Sequence, residues 1–542
     1  MRPQAASRCV WLWLAGLTVL VTGGCAPVDR WSVFDPEFER LLQHGPASDV
    51  RGAERFRPEI SEEFELDLPA GDGPLELSIE DVTFLALRNN QDLQVQQLNP
   101  VIAGTFERIE RGVYDPELFA ELVYSEEVAS ESSRATGEQF AVESVDVDLA
   151  AGIRQDLPSG TSLEASVEQQ RDQSSRAPDQ RAARLGLTVT QSLLQGFGPA
   201  VNLVSIRQAE LDTLASIYEL RGFTEALIAQ AETAYWNYVL ALEELSIFQS
   251  SLNIARRQRD EVEQQIEVGL LPETEGAAAR AEVALREQAL INARSLLEER
   301  RLRLLQVINV DQDSLLDREV RAASDPGTAS EPIRDRAQRL ALARQSRPDL
   351  AEARLRLKQG RLETIVTRNG LLPRLDLFMD LGRTGYGEST SAAYKELDAD
   401  TYDVSAGVRL SHALGNRAAM ALDEQARATF LQAREAVRNL GQIVRLEVSL
   451  AVNEVERARQ QISASEATRR LEEQTARAEE ERFDVGSSTA LLVAQAQRDL
   501  LASQIAEVRA IIEYRIALVE LYLAEGSLLQ RRGVVVGDPS SH

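Results

Sequence analysis

Apolar residues recur at helical spacing from Asn202 to Val268, among them Leu211, Leu214, Ile217, Tyr218, Leu220, Ala231, Ala234, Tyr235 and Val239. The stretch holds no proline and one glycine, Gly222, so it predicts one unbroken helix. At 1.5 Å per residue that helix is roughly 100 Å long, far beyond the ordinary globular helix, and it must pack sideways on other long helices. A second stretch of the same kind runs from Arg417 to Asp484. It has no proline, one glycine (Gly441), and an apolar stripe through Ile443, Leu446, Val448, Leu450, Val452 and Val455.

The flanks match as well. Val268-Gly269-Leu270 ends the first rod and Val485-Gly486-Ser487 the second, while Gly196-Phe197-Gly198 and Leu414-Gly415-Asn416 precede them. Pro348-Asp349-Leu350 echoes Gln91-Asp92-Leu93, and Leu372-Pro373 echoes Asp115-Pro116, both 257 positions on. The chain reads as a tandem duplication. Shorter helices are expected from Ser78 to Gly112, Glu275 to Ile308 and Thr489 to Leu529, with a further one opening the second copy.

Between helix and rod the period changes from 3.6 to two. Residues 118–124, 145–153, 162–168, 184–191, 374–381 and 402–410 are rich in β-formers. Leu185, Leu187 and Val189 alternate with Gly186, Thr188 and Thr190; Leu163, Ala165 and Val167 with Ser162, Glu164 and Ser166; Val145, Val147 and Leu149 with Asp146 and Asp148. Strands with one apolar and one polar face suit a sandwich or a membrane barrel with a wet lumen. Pro116 to Gly196 spans 80 positions but Pro373 to Gly415 only 42, so the first copy has gained about 38 residues. That is enough for one extra membrane hairpin, giving six strands per chain, or for a long outer loop.

The organisation expected is therefore a signal peptide (1–24), an extended arm (25–77), a first repeat (78–309), a loop (310–333), a second repeat (334–530) and a short tail (531–542). Each repeat is a helical wall with strands at one end and a glycine turn at the other, without the central core of a globular domain. The arm carries Trp31, Phe34, Phe56 and Phe64, which suggest that it lies on the body.

Composition narrows the function. The 542 residues hold 86 acidic and 59 basic side chains, a formal charge of -27, which disfavours nucleic acid as a partner. Arg2 and Arg8, an apolar run from Val10 to Val21, and Thr22-Gly23-Gly24-Cys25 form a secretory signal. The last four resemble a bacterial lipobox, which makes Cys25 the expected lipidated first residue of the mature chain. His44, His412 and His542 stand apart from cysteine or carboxylate at ligand spacing, so neither an enzyme nor a metal or other cofactor is expected. Tyr235-Trp236-Asn237-Tyr238 reads as packing rather than a ligand cage.

Three marks, taken together and in order, resemble the TolC-like outer membrane efflux proteins, and their lipoprotein branch in particular. They are Leu187 to Gly198, Val268-Gly269-Leu270 with Ala279-Arg280-Ala281-Glu282 beyond it, and Phe483 to Thr489. The resemblance covers about residues 78 to 530. It implies an α+β membrane protein: a homotrimer in which a long α-helical tunnel of coiled-coil-like helix pairs is capped by a transmembrane β-barrel, eighteen-stranded rather than twelve if the extra hairpin joins the wall. It further implies outer membrane lipid around the barrel, a periplasmic adaptor (membrane fusion) protein at the turns Val268-Gly269-Leu270 and Val485-Gly486-Ser487, and an inner membrane pump. Relatives often ring the tunnel entrance with aspartates after the second turn; the matching positions here are Leu492 and Gln495, so Glu273 and Glu275 at the first turn are the acidic candidates. The function implied is the outer membrane channel of a tripartite efflux system. A type I protein secretion channel, or a lipid-anchored periplasmic coiled-coil scaffold without a pore, stays open.

Overall fold

The computed structural model describes residues 56–60, 74–132, 136–309, 318–327, 335–398 and 401–536. Cys25, Trp31, Phe34, Phe64, His44 and His542 lie outside them. The described chain runs through β1 (Glu59–Ile60), β2 (Leu75–Leu77), α1 (Ile79–Asn89) and α2 (Gln91–Gly112) to four long strands, β3 (Glu117–Ser132), β4 (Gln139–Leu157), β5 (Thr161–Ser174) and β6 (Ala177–Ser192). One helical turn, α3 (Pro199–Asn202), leads into α4 (Val204–Glu267) and α5 (Glu273–Ile308). After β7 (Val320–Ala322) come α6 (Arg336–Ser346), α7 (Pro348–Asn369), β8 (Arg374–Gly387), the short α8 (Thr390–Lys395) and β9 (Tyr402–Ser411). The chain closes with α9 (Arg417–Asp484), α10 (Ala490–Glu525), α11 (Leu528–Arg531) and β10 (Val534–Val535).

Both rods are single helices, of 64 and 68 residues. The shorter helices differ from expectation at their joints. The helix expected over 78–112 is broken at Asn90, whose backbone turns extended (ψ 117) while its side chain accepts from the Leu93 N–H at 2.8 Å and caps α2. Its counterpart in the second half breaks at Arg347 (ψ 119), where the ring of Pro348 excludes the α conformation from the residue before it. The last helix stops at Glu525 rather than Leu529, because Gly526 takes a left-handed backbone (φ 66) and closes it. In line along α4 lie α2, of 22 residues, and α5, of 36; the Asn309 side chain donates to the Asn89 carbonyl at their junction. The 11-residue α1 stands apart from that line, in the middle of the bundle.

The middle also holds a core that the sequence pattern did not suggest. Leu75 and Leu77 of β2 pair in parallel with Val320 and Ala322 of β7, and β10 pairs with β1. These strands, α1, the centre of α4 and the ends of α5 and α10 bury one continuous cluster that includes Leu85, Ile217, Ile228, Tyr235, Leu304, Ile308, Ile512 and Leu528. The expected loop 310–333 and tail 531–542 thus each contribute a strand to it. Tyr235 and Tyr238 tie it down: their hydroxyls donate to the carbonyls of Leu77 and Val320, and Tyr235 accepts from the Ser324 N–H. Burial raises the Tyr238 hydroxyl to about 12, so it remains a donor at any physiological pH.

Candidate functional site

Two regions at opposite ends of the long helices carry the features from which a function can be built. The first is one antiparallel sheet in the order β3-β4-β5-β6-β8-β9. All six expected strands are present; they are 10 to 19 residues in length, each longer than the alternation alone marked. Because side chains opposite one another share a face, the register sorts the whole sheet. One face carries Leu118 and Leu122 of β3, Leu149 and Ile153 of β4, Val167 of β5, Leu185 and Leu187 of β6, Leu377 and Met379 of β8, and Val404, Val408 and Leu410 of β9. All of these are exposed. Exposed apolar side chains over six strands form a patch far larger than a water-facing surface tolerates.

The opposite face is charged. Asp146 and Asp148 share it with Glu164, Glu168, Asp172, Arg184 and Asp380. Arg184 on β6 bonds Asp380 of β8 at 2.8 Å and Asp403 of β9 at 2.9 Å, and reaches Glu168 of β5 at 3.4 Å. One guanidinium fork thereby stitches the strands before the first rod to those before the second. Gly382 leaves the room for this: a Cβ there would run into Asp403 Oδ1 and meet Arg184 Nε at 2.7 Å. Sequence reading had no means of finding this cluster, because it is assembled by register between strands about 200 residues apart.

At the other end, both rods finish in the same turn. Gly269 (φ 80) and Gly486 (φ 73) take the left-handed backbone. The Leu270 N–H reaches Gln265 O at 2.8 Å and the Gly269 N–H reaches Ile266 O at 2.9 Å; the Ser487 N–H reaches Arg482 O at 2.8 Å and the Gly486 N–H reaches Phe483 O at 2.9 Å. This double closure satisfies the last carbonyls of each helix and needs a residue without a Cβ penalty. Val262, Ala279, Phe483, Ala490 and Val493 bury themselves between the two turns, so the turns lie side by side.

Around that small core the exposed tip is apolar: Val268, Leu270, Val485, Leu491 and Leu492 project outward. Leu491 was not singled out from the sequence. Of the acidic candidates, Glu273 is exposed, and Glu275 instead accepts from the Ala490 N–H at 3.2 Å, capping the helix that follows the other turn. Leu492 and Gln495 are exposed on that helix. Among the described residues no helix is long and apolar enough to cross a membrane.

Comparison with known proteins falls in line with this geometry. Residues 340–527 match the family described as outer membrane efflux protein. The outer-membrane channel OprN is 18% identical over 83% of this chain and 90% of its own, with a TM-score of 0.61. The CmeC outer membrane channel of Campylobacter jejuni is 16% identical over 85% and 88% (TM-score 0.60), and the MtrE outer membrane channel of Neisseria gonorrhoeae 18% over 87% and 95% (TM-score 0.57). At these identities the likeness is one of fold. No curated protein matches the sequence.

Proposed function

We propose that this chain, whose residues 340–527 are an outer membrane efflux protein domain, is the outer membrane channel of an efflux system. Three copies form a barrel in the membrane and a helical tunnel in the periplasm. The observation that carries this reading is the two-faced sheet with unfinished edges. An apolar exposed face over six strands belongs against lipid, and the charged face behind it belongs against water. Strands β3 and β9 pair on one side only. Their outer N–H and C=O groups have to be satisfied in a bilayer, which admits closed barrels but no open edge. With six alternating strands, the first and last run in opposite directions, so β9 of one copy meets β3 of the next antiparallel and the ring closes.

The long helices support the same assembly. Over 64 residues α4 buries 24, whereas α9 buries 10 of its 68 and leaves Leu431, Ile443, Leu446 and Leu450 exposed. An apolar stripe of that kind on a long helix is suited to a second copy. The matched tips, with their apolar rim, are where a periplasmic adaptor protein docks, bringing an inner membrane pump with it. The signal and Cys25 add a lipid anchor, testable by mass spectrometry of the mature N-terminus. The offset of 257 between the two sets of early helices supports a tandem duplication.

The test is electrical. Purified full-length protein in planar bilayers is expected to give discrete conducting steps and to run as a trimer by native mass spectrometry. A monomer without conductance would favour the scaffold lipoprotein instead.

A further inference from the structure

The sheet has a geometry that fixes the width of the pore it builds, and the inference drawn from it rests on the channel reading above. The hydrogen-bonded row through Glu117, Arg154, Glu164, Thr188, Asp380 and Ser405 crosses all six strands. Strand β3 begins on this row, at Glu117, but β9 runs on to Ser411, six residues past it. If the helix-side ends lie at one level, as a membrane wall requires, the strands step by six residues over five neighbours, about 1.2 residues each. With a rise of about 3.3 Å and a spacing of about 4.8 Å, that step is a tilt of about 40°, inside the range that closed barrels adopt. All six strands, the additional hairpin included, therefore fit one tilted wall.

A second observation agrees. Opposite Glu117 and Phe119 of β3 stand Arg154 and Gly152 of β4; opposite Asp376 and Phe378 of β8 stand Arg409 and Gly407 of β9. In both places the ring lies across the glycine, where a Cβ would meet it at 2.8 and 2.6 Å, and the arginine stands over the ring at 5.9 and 5.4 Å. Through the register the second of these sets sits four residues below the first, over four strands. A tilt of about 40° offsets a drop of that size, so both sets lie at nearly one height in a closed wall.

We infer that three chains enclose an eighteen-strand barrel whose lumen is nearly twice as wide as the one twelve strands would leave. At this tilt eighteen strands give a backbone diameter of about 36 Å and twelve strands about 24 Å. Side chains on the wall leave about 26 Å and about 14 Å free. A single helix, about 10–12 Å across with its side chains, passes either lumen, but two helices side by side pass only the wider one.

The sequence has two cysteines, Cys9 and Cys25, both ahead of the barrel, so single-cysteine labelling from outside intact cells reads the width directly. Asp148→Cys places a thiol on the charged face and Leu149→Cys one on the apolar face of the same strand; Thr188→Cys is a second charged-face position in case the first variant does not assemble. Polar maleimides are applied on polymers of graded girth, the largest wider than the narrow lumen and narrower than the wide one. Labelling of Asp148→Cys retained through the largest reagent, with Leu149→Cys unlabelled, is the expected result. Labelling of the charged-face positions by small reagents alone overturns the wide lumen and leaves the channel intact. Equal labelling of Leu149→Cys, or no labelling at either charged-face position, overturns the membrane wall itself.

Discussion

The two halves of this chain are alike in their helices and unlike in nearly everything those helices touch. Helices of 11, 22 and 36 residues recur in the same order, starting at Ile79, Gln91 and Glu273 in the first half and at Arg336, Pro348 and Ala490 in the second. The offset is 257 before the strands and 217 after them, and the missing 40 residues are the length of one hairpin. Helix lengths are therefore held by the span they must bridge, while the number of strands is free to change. The rods differ in a second way: α4 is the spine of the bundle, wrapped by α1, α2, α5, α7 and α10, whereas α9 keeps much of its apolar stripe outward.

The largest expected effect comes from treating the two rods alike. Leu446→Asp with Leu450→Asp on α9 is expected to leave a helical, folded monomer that no longer trimerises, losing conductance altogether. Ile228→Asp on α4 buries a charge in the core and is expected to cost several kcal/mol, enough to prevent folding. Light scattering and circular dichroism separate the outcomes. If the α9 variant still trimerises, its stripe is not the interface and the contrast between the rods fails.

Next in size is the contrast between the turns and their rims. Leu270→Asp together with Ser487→Asp keeps both glycines and both closing hydrogen-bond pairs. Trimers are expected to assemble and insert normally while transport and adaptor crosslinking are lost. Undiminished transport would leave Gly269 and Gly486 as helix caps and nothing more.

The two rods, both glycine turns and all six strands were legible because each rests on a period or a residue type that local sequence carries. The core in the middle was not. Its strands are two or three residues long, too short to show alternation, and Leu75, Val320 and Val534 meet only through the fold. The breaks at Asn90 and Arg347 differ in legibility for a physical reason: Pro348 announces the second, while the first depends on an asparagine cap that a helical pattern hides. The Arg184 cluster and the Glu275 cap join elements far apart in sequence, and no window on the chain contains both partners.

A smaller effect tests whether the paired glycines do the same job in both halves. Gly152→Ala and Gly407→Ala each push a methyl into a phenylalanine ring on the neighbouring strand. Overpacking of this kind costs about 1–3 kcal/mol, and Gly152→Ala is expected to cost the more, because its methyl also meets the backbone oxygen of Ala165 on β5; the reading is the larger drop in the temperature at which trimers dissociate. Equal drops would mean that β5 gives way at Ala165 and that the ring alone sets the cost at both sites.

The last expected effect is a gain rather than a loss, and concerns one carboxylate that the first half has and the second lacks. Glu225 is buried on α4 beside a groove of about 780 Å³ that Arg347, Asp349, Glu447 and Glu520 also line. At the offset of 217 set by the two turns, the second rod carries Gln442 in its place. Burial raises the Glu225 carboxyl to about 7, against which the Leu529 N–H and the charge of Arg347 work only in part. A carboxyl raised on folding holds its proton better in the native state than in the unfolded chain. Its contribution is therefore full below the unfolded value near 4.5, declines as the pH rises, and is lost above about 7. Glu225→Gln removes the charge while keeping an oxygen for Leu529. The variant is expected to match the parent at pH 4, where both side chains are neutral, and to be more stable by about 3 kcal/mol at pH 8, where the parent bears the full shift. Thermal melts across that range measure the gap. A gap that stays constant with pH would show that Glu225 is charged throughout, held by Arg347, and that the first half bears no cost the second avoids.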